Sequence, residues 1–483
     1  MMGRHLITYL LPNLAQALAS FGTVALLTRL LSEAEYGRYA LVFTAMSLAH
    51  YLMLTWIEAA AARFYSEARA RGEKPDHFAT LLRLYLICVC GFGVVSVAVV
   101  ALVPYDETVK LALAAAFAGV AVRSFLKIAL ETRRMALEAT RFALVDSFHT
   151  LAGFGFMAVC IAFLGMAEDG AFVGLLIASL LVLLIEGPAL WLSKKGGTFQ
   201  PERARAYLAF GAPAAFSLIM TLAMTSADRF VIGIVLGEAA VGAYSAGYQV
   251  GARVIDLVSV WVASAVFPLI AAAYDSHGPE AAKVQARSAF ALRLGVGAPA
   301  ALGIALVAEP LCEILIGPAL REEAAAIARW VALAALLGCM AEYFAEAFIL
   351  AKKALQRALL MIPPVLVNIG LNFLLLPVMG LNGAVVATVV AYAVGMVLLA
   401  VVGRRYVALP VHLGDLSRIA VACACMAGIV SLLPDWGGLP ELVFKAGIGA
   451  VTYGAVAVLL DIADAKKRLH EIVGRFTRKA EAT

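Results

Sequence analysis

Arginine residues inside long apolar segments are the positions where this sequence could do chemistry. Arg29 and Arg229 lie within such segments, Arg253 lies in the segment after Arg229, and Arg63 closes the end of another. A guanidinium group presents a planar fork of N–H donors that matches the oxygen atoms of a phosphate or pyrophosphate. Because a charge inside a membrane span is costly, it normally faces a cavity or a partner. The pattern therefore predicts a binding site for an anionic head group.

Three acidic residues lie near these arginines, namely Glu58, Asp228 and Asp256. A carboxylate that loses solvent can take up a proton, so these residues are candidates for coupling anion movement to a proton gradient. A structural salt bridge explains them equally well. Arg253 and Asp256, for example, can neutralise each other at i, i+3.

Other polar side chains also interrupt the apolar segments. Glu342 and Glu346 share one helix face, as Asn368 and Asn372 do in the next segment, because each pair is spaced i, i+4. The candidates for a polar cavity lining are Asn13, Gln16, Gln249, Glu342, Glu346, Asn368 and Asn372. No His or Cys set has metal-ligand spacing, so we expect neither a metal nor a cofactor.

The elements that must position these residues are about fourteen apolar spans. The chain is 63% hydrophobic and only 15% charged, whereas soluble domains are about half apolar and a quarter charged. We therefore predict an all-α polytopic membrane protein with about 14 transmembrane helices. The predicted spans are 6–31, 40–62, 80–103, 109–130, 142–166, 171–192, 211–236, 241–272, 288–308, 324–350, 359–378, 382–402, 416–433 and 442–461.

Positive charge between the spans falls on alternate sides. Lys and Arg are enriched in every second loop and are sparse in the others, with Arg38 and Arg321 as exceptions. The positive-inside rule then places the N- and C-termini in the cytoplasm. The basic loops are 63–74, 133–141, 194–205, 283–287, 352–357 and 404–405, followed by a basic tail at 466–483.

The loops exclude several functions. None is longer than about twenty residues, so there is no room for a soluble catalytic domain. A G-x-x-x-x-G-K-[ST] motif is absent, so the chain does not use ATP directly. The basic character is explained by the cytoplasmic loops, and we expect no nucleic-acid partner. We therefore expect a transporter rather than an enzyme.

An internal repeat divides the spans. The segment from Ser32 to Ala40 resembles the segment from Gly237 to Ser245, with Glu, Ala, Gly and Tyr in register, and 165–171 resembles 380–384 more weakly. The offset of about two hundred residues equals six spans, so the halves are parallel repeats. The expected lobes are 1–200 and 201–405, with two extra helices in 406–465. Such lobes would rock around a central cavity.

Three motifs carry a family resemblance. Residues 27–40, then Asp228-Arg-Phe-Val-Ile-Gly with Gly242-Ala-Tyr-Ser245, then 380–388 resemble the polysaccharide-export and O-antigen flippases of the multidrug/oligosaccharidyl-lipid/polysaccharide exporter superfamily. The resemblance covers nearly the whole chain. It implies a flippase that moves an undecaprenyl-pyrophosphate-linked oligosaccharide from the cytoplasmic to the periplasmic leaflet by alternating access, for polysaccharide or O-antigen biosynthesis.

The resemblance also implies site residues and partners. Arg29, Asp228 and Arg229 lie within matching motifs, and cationic cavity residues in that family hold the sugar-phosphate head. The expected partners are the lipid-linked oligosaccharide, membrane lipids, and a polymerase or other polysaccharide-assembly proteins. The alternatives are a lipid II flippase, a drug/cation antiporter of the same superfamily, and a membrane polysaccharide polymerase or ligase.

Overall fold

Every element in the described part of the chain is helical. The computed structural model describes residues 2–462 and 466, with side chains from residue 11 onwards, so the predicted basic tail lies outside the described residues apart from Lys466. The helices are α1 (Met2–Leu30), α2 (Glu33–Met53), α3 (Thr55–Ala70), α4 (Lys74–Leu102), α5 (Glu107–Met135), α6 (Ala139–Ala162), α7 (Asp169–Leu192), α8 (Pro201–Ser226), α9 (Asp228–Leu236), α10 (Glu238–Leu306), α11 (Ala308–Leu315), α12 (Arg321–Leu350), α13 (Ala354–Leu360), α14 (Ile362–Met379), α15 (Leu381–Gly403), α16 (Leu413–Val430) and α17 (Gly438–Leu459).

The number of spans agrees with the all-α polytopic prediction. Twelve helices of the described residues are long and apolar enough to cross a membrane, and the bent pair α2 and α3 makes a thirteenth. The 69-residue helix α10 is far longer than the roughly 20 residues that a span needs. It is broken at Gly278, where φ is 78°. Counting its two arms separately brings the number to the predicted fourteen.

The first compact unit comprises residues 1–242. Here α7 packs against α5 and α6, and α1 packs against α6. Helix α8 packs against α2, α3 and α4, because Gly211 lets it approach the carbonyl group of Trp56 where any Cβ would collide. Packing thus groups α8 and α9 with the first six spans, whereas the sequence repeat divides the chain after residue 200.

The second compact unit comprises residues 243–483. Helix α15 packs against α12 and α14, and α16 packs against α17. The first arm of α10 approaches α12 closely, because Gly247 and Gly251 face the carbonyl groups of Ala324 and Ala328. In the sequence repeat, α12, α14 and α15 correspond to α5, α6 and α7. The third helix of each set packs against the other two, so the packing pattern repeats as the sequence does.

Local sequence sets several helix ends. Ser32 and Glu35 form a capping box at the start of α2, in which the Ser32 N–H donates to Glu35 Oε2 at 2.7 Å. Gly165 precedes α7 and Gly380 precedes α15, and both have positive φ, at 67° and 58°. This conformation favours glycine, so the weaker echo in the sequence repeat corresponds to a shared backbone turn.

Candidate functional site

Glu58 lies at the centre of a charged cluster inside the first unit. Its side chain is only 3% exposed. Glu58 Oε1 lies 2.8 Å from His50 Nε2, and Glu58 Oε2 lies 3.1 Å from Lys127 Nζ. A buried carboxylate needs such partners, because an uncompensated charge would be costly. Glu58, which the sequence predicts as a coupling acid, therefore has a histidine and a lysine as direct neighbours.

Asp228 and Arg229 begin α9 directly after the break that ends α8 at Ser226. Both are buried, with 0% and 7% exposure. Arg229 Nη1 donates to Ser226 Oγ at 3.0 Å and to Thr44 Oγ1 of α2 at 3.3 Å. These two bonds connect the start of α9 to the end of α8 and to α2.

The other predicted residues of the first unit are accessible at its surface. Arg29, near the end of α1, donates from Nη1 to the Ala25 carbonyl at 2.8 Å and remains exposed. Arg63 of α3 is exposed and lies 5.5 Å from the centroid of the Phe64 ring. Asn13 and Gln16 are exposed on α1. These side chains can reach a ligand without giving up a buried partner.

In the second unit, α10 and α12 bring three predicted residues together. Asp256 interacts electrostatically with Arg253 and with Glu342. Glu342 is exposed and accepts two bonds from Arg357 Nη2, both at 2.7 Å. Arg253 and Gln249 are half-buried on the same arm of α10. This group therefore contains both acidic and basic side chains, and they are only partly buried.

Glu346 is buried away from that group, although it shares α12 with Glu342. Its Oε1 accepts a bond of 2.6 Å from Arg293 Nη2 in the second arm of α10. Arg293 is 2% exposed, and its guanidinium lies 5.8 Å from the centroid of the Tyr343 ring. Arg293 was not among the predicted residues, although it is an isolated charge in an apolar span. The rule that selected Arg229 would have selected it too.

Asn368 and Asn372 are both fully buried within α14. Asn372 Nδ2 donates to the Asn368 carbonyl at 2.9 Å, and Asn368 Nδ2 lies 3.5 Å from Thr388 Oγ1 of α15. The Thr388 hydroxyl in turn lies 3.2 Å from the Tyr244 hydroxyl. The two asparagines thus share a face, as predicted, and they belong to a polar chain that crosses three helices.

Arg38 lies near the start of α2, and two carboxylates compensate its charge. Its Nε donates to Glu168 Oε1 at 2.5 Å, and its Nη1 donates to Glu238 Oε2 at 3.0 Å. Glu168 is fully buried. Two carboxylates therefore surround the residue that was an exception to the charge alternation. Sequence reasoning missed Glu168 because it lies in a loop 130 residues away.

The two copies of the stronger repeat motif contact each other reciprocally. A Cβ at Gly37 would collide with the Glu238 carbonyl, and a Cβ at Gly242 would collide with the Glu33 carbonyl. Gly37 corresponds to Gly242, and Glu33 to Glu238, in the aligned motifs. Equivalent residues thus exchange equivalent contacts, which is the arrangement expected of two copies related by a pseudo-two-fold axis.

A comparison with known protein families identifies the family of this chain. Residues 26–325 match the family described as Polysaccharide biosynthesis protein. The chain belongs to this family. A search of curated proteins found no match.

The fold is shared with solved membrane transporters. The chain is similar to the lipid II flippase MurJ in an inward closed conformation, with a TM-score of 0.74 and 13% identity over 94% of this chain and 99% of that chain. It is also similar to an inward-facing MATE family multidrug resistance transporter of the MOP superfamily, with a TM-score of 0.67 and 16% identity over 83% of this chain and 97% of the other. A MOP superfamily transporter from Pyrococcus furiosus gives a TM-score of 0.57 and 18% identity over 83% and 93% of the two chains.

These likenesses establish the class of protein. The apolar helices and the shared fold make this member of the polysaccharide biosynthesis family a multi-pass membrane protein. The resemblance seen in the three sequence motifs is confirmed by the family match and by the fold.

Proposed function

We propose that this protein is a flippase that moves an undecaprenyl-pyrophosphate-linked oligosaccharide from the cytoplasmic to the periplasmic leaflet by alternating access. The observation that carries the proposal is the extent of the fold match within a polysaccharide biosynthesis family. The MATE transporter covers 83% of this chain, whereas the lipid II flippase covers 94%. Because the similarity to a lipid flippase extends over nearly the whole chain, we favour a lipid-linked substrate over a soluble drug or cation.

The embedded arginines supply the chemistry that such a substrate requires. Arg229 is buried and donates to the hydroxyl groups of Thr44 and Ser226, and its guanidinium group is the kind of side chain that binds a pyrophosphate. In the second unit, Arg253 is half-buried beside Asp256. We infer that each of these arginines takes part in binding pyrophosphate, because guanidinium groups bind phosphate oxygens in a bidentate manner. Arg29 and Arg63 are accessible and complete the proposed set of cations.

A lipid II flippase is the second candidate, and the similarity to MurJ favours it. Lipid II also carries a polyprenyl pyrophosphate, so the arginines alone do not distinguish the two substrates. Membership of the polysaccharide biosynthesis family favours an oligosaccharide precursor. The same membership suggests a polymerase as the protein that receives the flipped product, and a bacterial inner membrane with both termini in the cytoplasm.

The test is a flipping assay in vesicles that contain the purified protein and a fluorescent lipid-linked substrate. Arg229→Ala and Arg253→Ala should each lower the flipping rate by about 10- to 100-fold, since a hydrogen bond to a charged group contributes about 1.5–3 kcal/mol. Arg71→Ala is the matched control, because Arg71 is 63% exposed and pairs with Glu67 one turn away on the same helix. Its rate should remain that of the wild type.

The assay also separates the candidate substrates. We expect wild-type protein to flip an undecaprenyl-pyrophosphate oligosaccharide and to leave lipid II in its original leaflet. Flipping of lipid II alone would replace the proposal with the second candidate. Wild-type rates in both arginine variants would refute the role of these side chains.

A further inference from the structure

The second span is sharply bent at a position that has neither proline nor glycine nearby. Helices α2 and α3 meet at Leu54 with an angle of 49°. Sharp kinks normally occur at proline or glycine, yet neither residue occurs between Gly37 and Gly72. The bend therefore needs another cause.

Two side chains at the break donate to backbone carbonyl groups of the preceding turn. Thr55 Oγ1 donates to the His50 carbonyl at 3.2 Å, and Trp56 Nε1 donates to the Met53 carbonyl at 3.1 Å. The Ile57 N–H donates to the Leu54 carbonyl at 3.0 Å, which is a tighter i→i+3 turn. Side chains that insert into the helical ladder produce such bends.

A titratable pair spans the break. His50 lies on α2 and Glu58 on α3, and His50 Nε2 lies 2.8 Å from Glu58 Oε1. This contact joins the two halves of the span, so its strength affects the angle between them. A histidine changes charge between about pH 5 and pH 8. When it is protonated, the contact becomes a charge-assisted bond, which is about twice as strong as a neutral one.

The charges around the pair come from the neighbouring helices. Helix α5 contributes Lys127, at 3.1 Å from Glu58 Oε2, and interactions of Lys127 reach Glu131 of α5 and Asp146 of α6. Arg123 of α5 acts on Asp146. Tyr85 of α4 is within electrostatic range of Glu58, and its hydroxyl donates to the Ala121 carbonyl. The Tyr51 ring lies 5.7 Å from the His50 ring, between centroids, at a tilt of 38°. Beyond Arg205, helix α8 carries no charged side chain.

Within this set, Glu58 contacts Lys127 through Oε2 and His50 through Oε1. A proton on His50 therefore places a second positive charge against the same carboxylate, so the two cations share one counter-ion. Lys127 is 43% exposed, so the cluster reaches the surface of the first unit. The cluster thus combines a titratable group, a buried counter-ion and an exposed side.

We propose that His50 and Glu58 form a proton-binding site in which the bound proton holds the second span in its bent form. Release of the proton weakens the contact across Leu54 and lets the two halves straighten. This inference rests on the proposed function for its role, which is to link the proton gradient to flipping.

The first experiment measures the bend without any substrate. Spin labels are placed on the exposed positions Phe43→Cys and Ser66→Cys, in a protein whose seven native cysteines are replaced. Distances between the labels are compared by electron–electron double resonance at about pH 5.5 and about pH 8, on either side of the ordinary histidine pKa. We expect a longer distance at the higher pH. An unchanged wild-type distance would overturn the proposal.

Variants assign the response to the pair. His50→Gln keeps a hydrogen-bond donor but cannot titrate, so the pH-dependent change in distance should disappear, and Glu58→Gln should greatly reduce it. His149→Gln is the matched control, because His149 is a buried histidine of the same unit whose Nε2 lies 2.9 Å from the neutral hydroxyl of Ser179. It should respond as the wild type does. A response that persists in His50→Gln would contradict the proposal.

The second experiment measures flipping at both pH values. Wild-type flipping should depend on pH, and His50→Gln should remove that dependence while the purified protein elutes as a single folded species. If the wild type flips no lipid-linked substrate, the proposed function fails, but the label distances still decide whether the proton site exists. If flipping occurs and His50→Gln has the wild-type pH profile, the proton site does not drive it.

Discussion

At the scale of single residues, polar groups in these spans divide into two kinds. Some have a charged partner within their own unit, as Glu346 has in Arg293 and Glu58 has in Lys127. Others are exposed, such as Arg29 and Arg63. The cost of burying a charge explains why the buried groups have charged partners, whereas the exposed ones do not need them. Partnered residues therefore contribute to stability, and accessible ones are available for binding.

The Arg293–Glu346 pair gives a stability prediction at this scale. Arg293→Met should destabilise the folded protein by about 3 kcal/mol, because it leaves a buried carboxylate without its counter-charge. The double variant Arg293→Met with Glu346→Leu should recover more than half of this loss, since no charge then remains buried. Unfolding by titration with a denaturing detergent measures both changes.

An exposed ion pair of the same unit provides the control. Arg329 and Glu309 are 44% and 70% exposed, and they form an ion pair across α12 and α11. Solvent screens such a pair, so Arg329→Met should leave the unfolding curve nearly unchanged. An equal loss in Arg293→Met and Arg329→Met would show that the buried pair has no special role.

At the scale of helices, breaks and close approaches position the candidate residues. The break after Ser226 places Arg229 in the first turn of α9, and the break at Leu54 brings His50 opposite Glu58. Glycine permits the closest approach, where Gly37 and Gly242 each face a carbonyl group of the other motif. Backbone geometry, rather than side-chain chemistry alone, thus determines which polar groups meet.

Gly37→Ala tests this close approach. The added Cβ would collide with the Glu238 carbonyl, which belongs to the backbone and cannot rotate away. We expect a loss of about 1–3 kcal/mol, as for other overpacked sites, and a lower melting temperature in a thermal unfolding assay. Gly119→Ala is the control, since a Cβ there would meet no atom within 4 Å. That variant should be neutral or stabilised by up to about 1 kcal/mol.

At the scale of the whole molecule, loop charge predicts orientation. The basic loops alternate with loops poor in Lys and Arg, and the exception at Arg38 has two carboxylate partners. The remaining exception, Arg321, donates from Nη2 to the Glu313 carbonyl at 3.3 Å.

Reporter fusions test the orientation. Alkaline phosphatase should be active when fused after Trp436 and inactive when fused after Lys353, while a fluorescent protein fused after Lys353 should be bright. The reason is that Lys352 and Lys353 hold their loop in the cytoplasm, whereas the loop of Trp436 has no basic residue from 433 to 437. The opposite pattern of reporter activity would invert the orientation.

The sequence by itself determined the fold class and most candidate residues. Span length, hydropathy and motif register depend on residues that are close in sequence, so about fourteen spans, the repeat and a role for Arg229 could be predicted from it. The described residues contain twelve to thirteen helices or helix pairs that are apolar enough to cross a membrane. The same local rules could have selected Arg293 and His50, which are isolated polar residues in apolar spans.

Only the tertiary structure decided which of these groups have partners. Glu346 meets Arg293 across 53 residues, Arg38 meets Glu168 across 130, and Lys127 meets Glu58 across helices. Such pairings depend on how helices pack, and helix packing is set by shape at many positions at once. The 49° bend at Leu54 is the clearest case. No proline or glycine in the sequence predicts this bend, yet it brings His50 and Glu58 together.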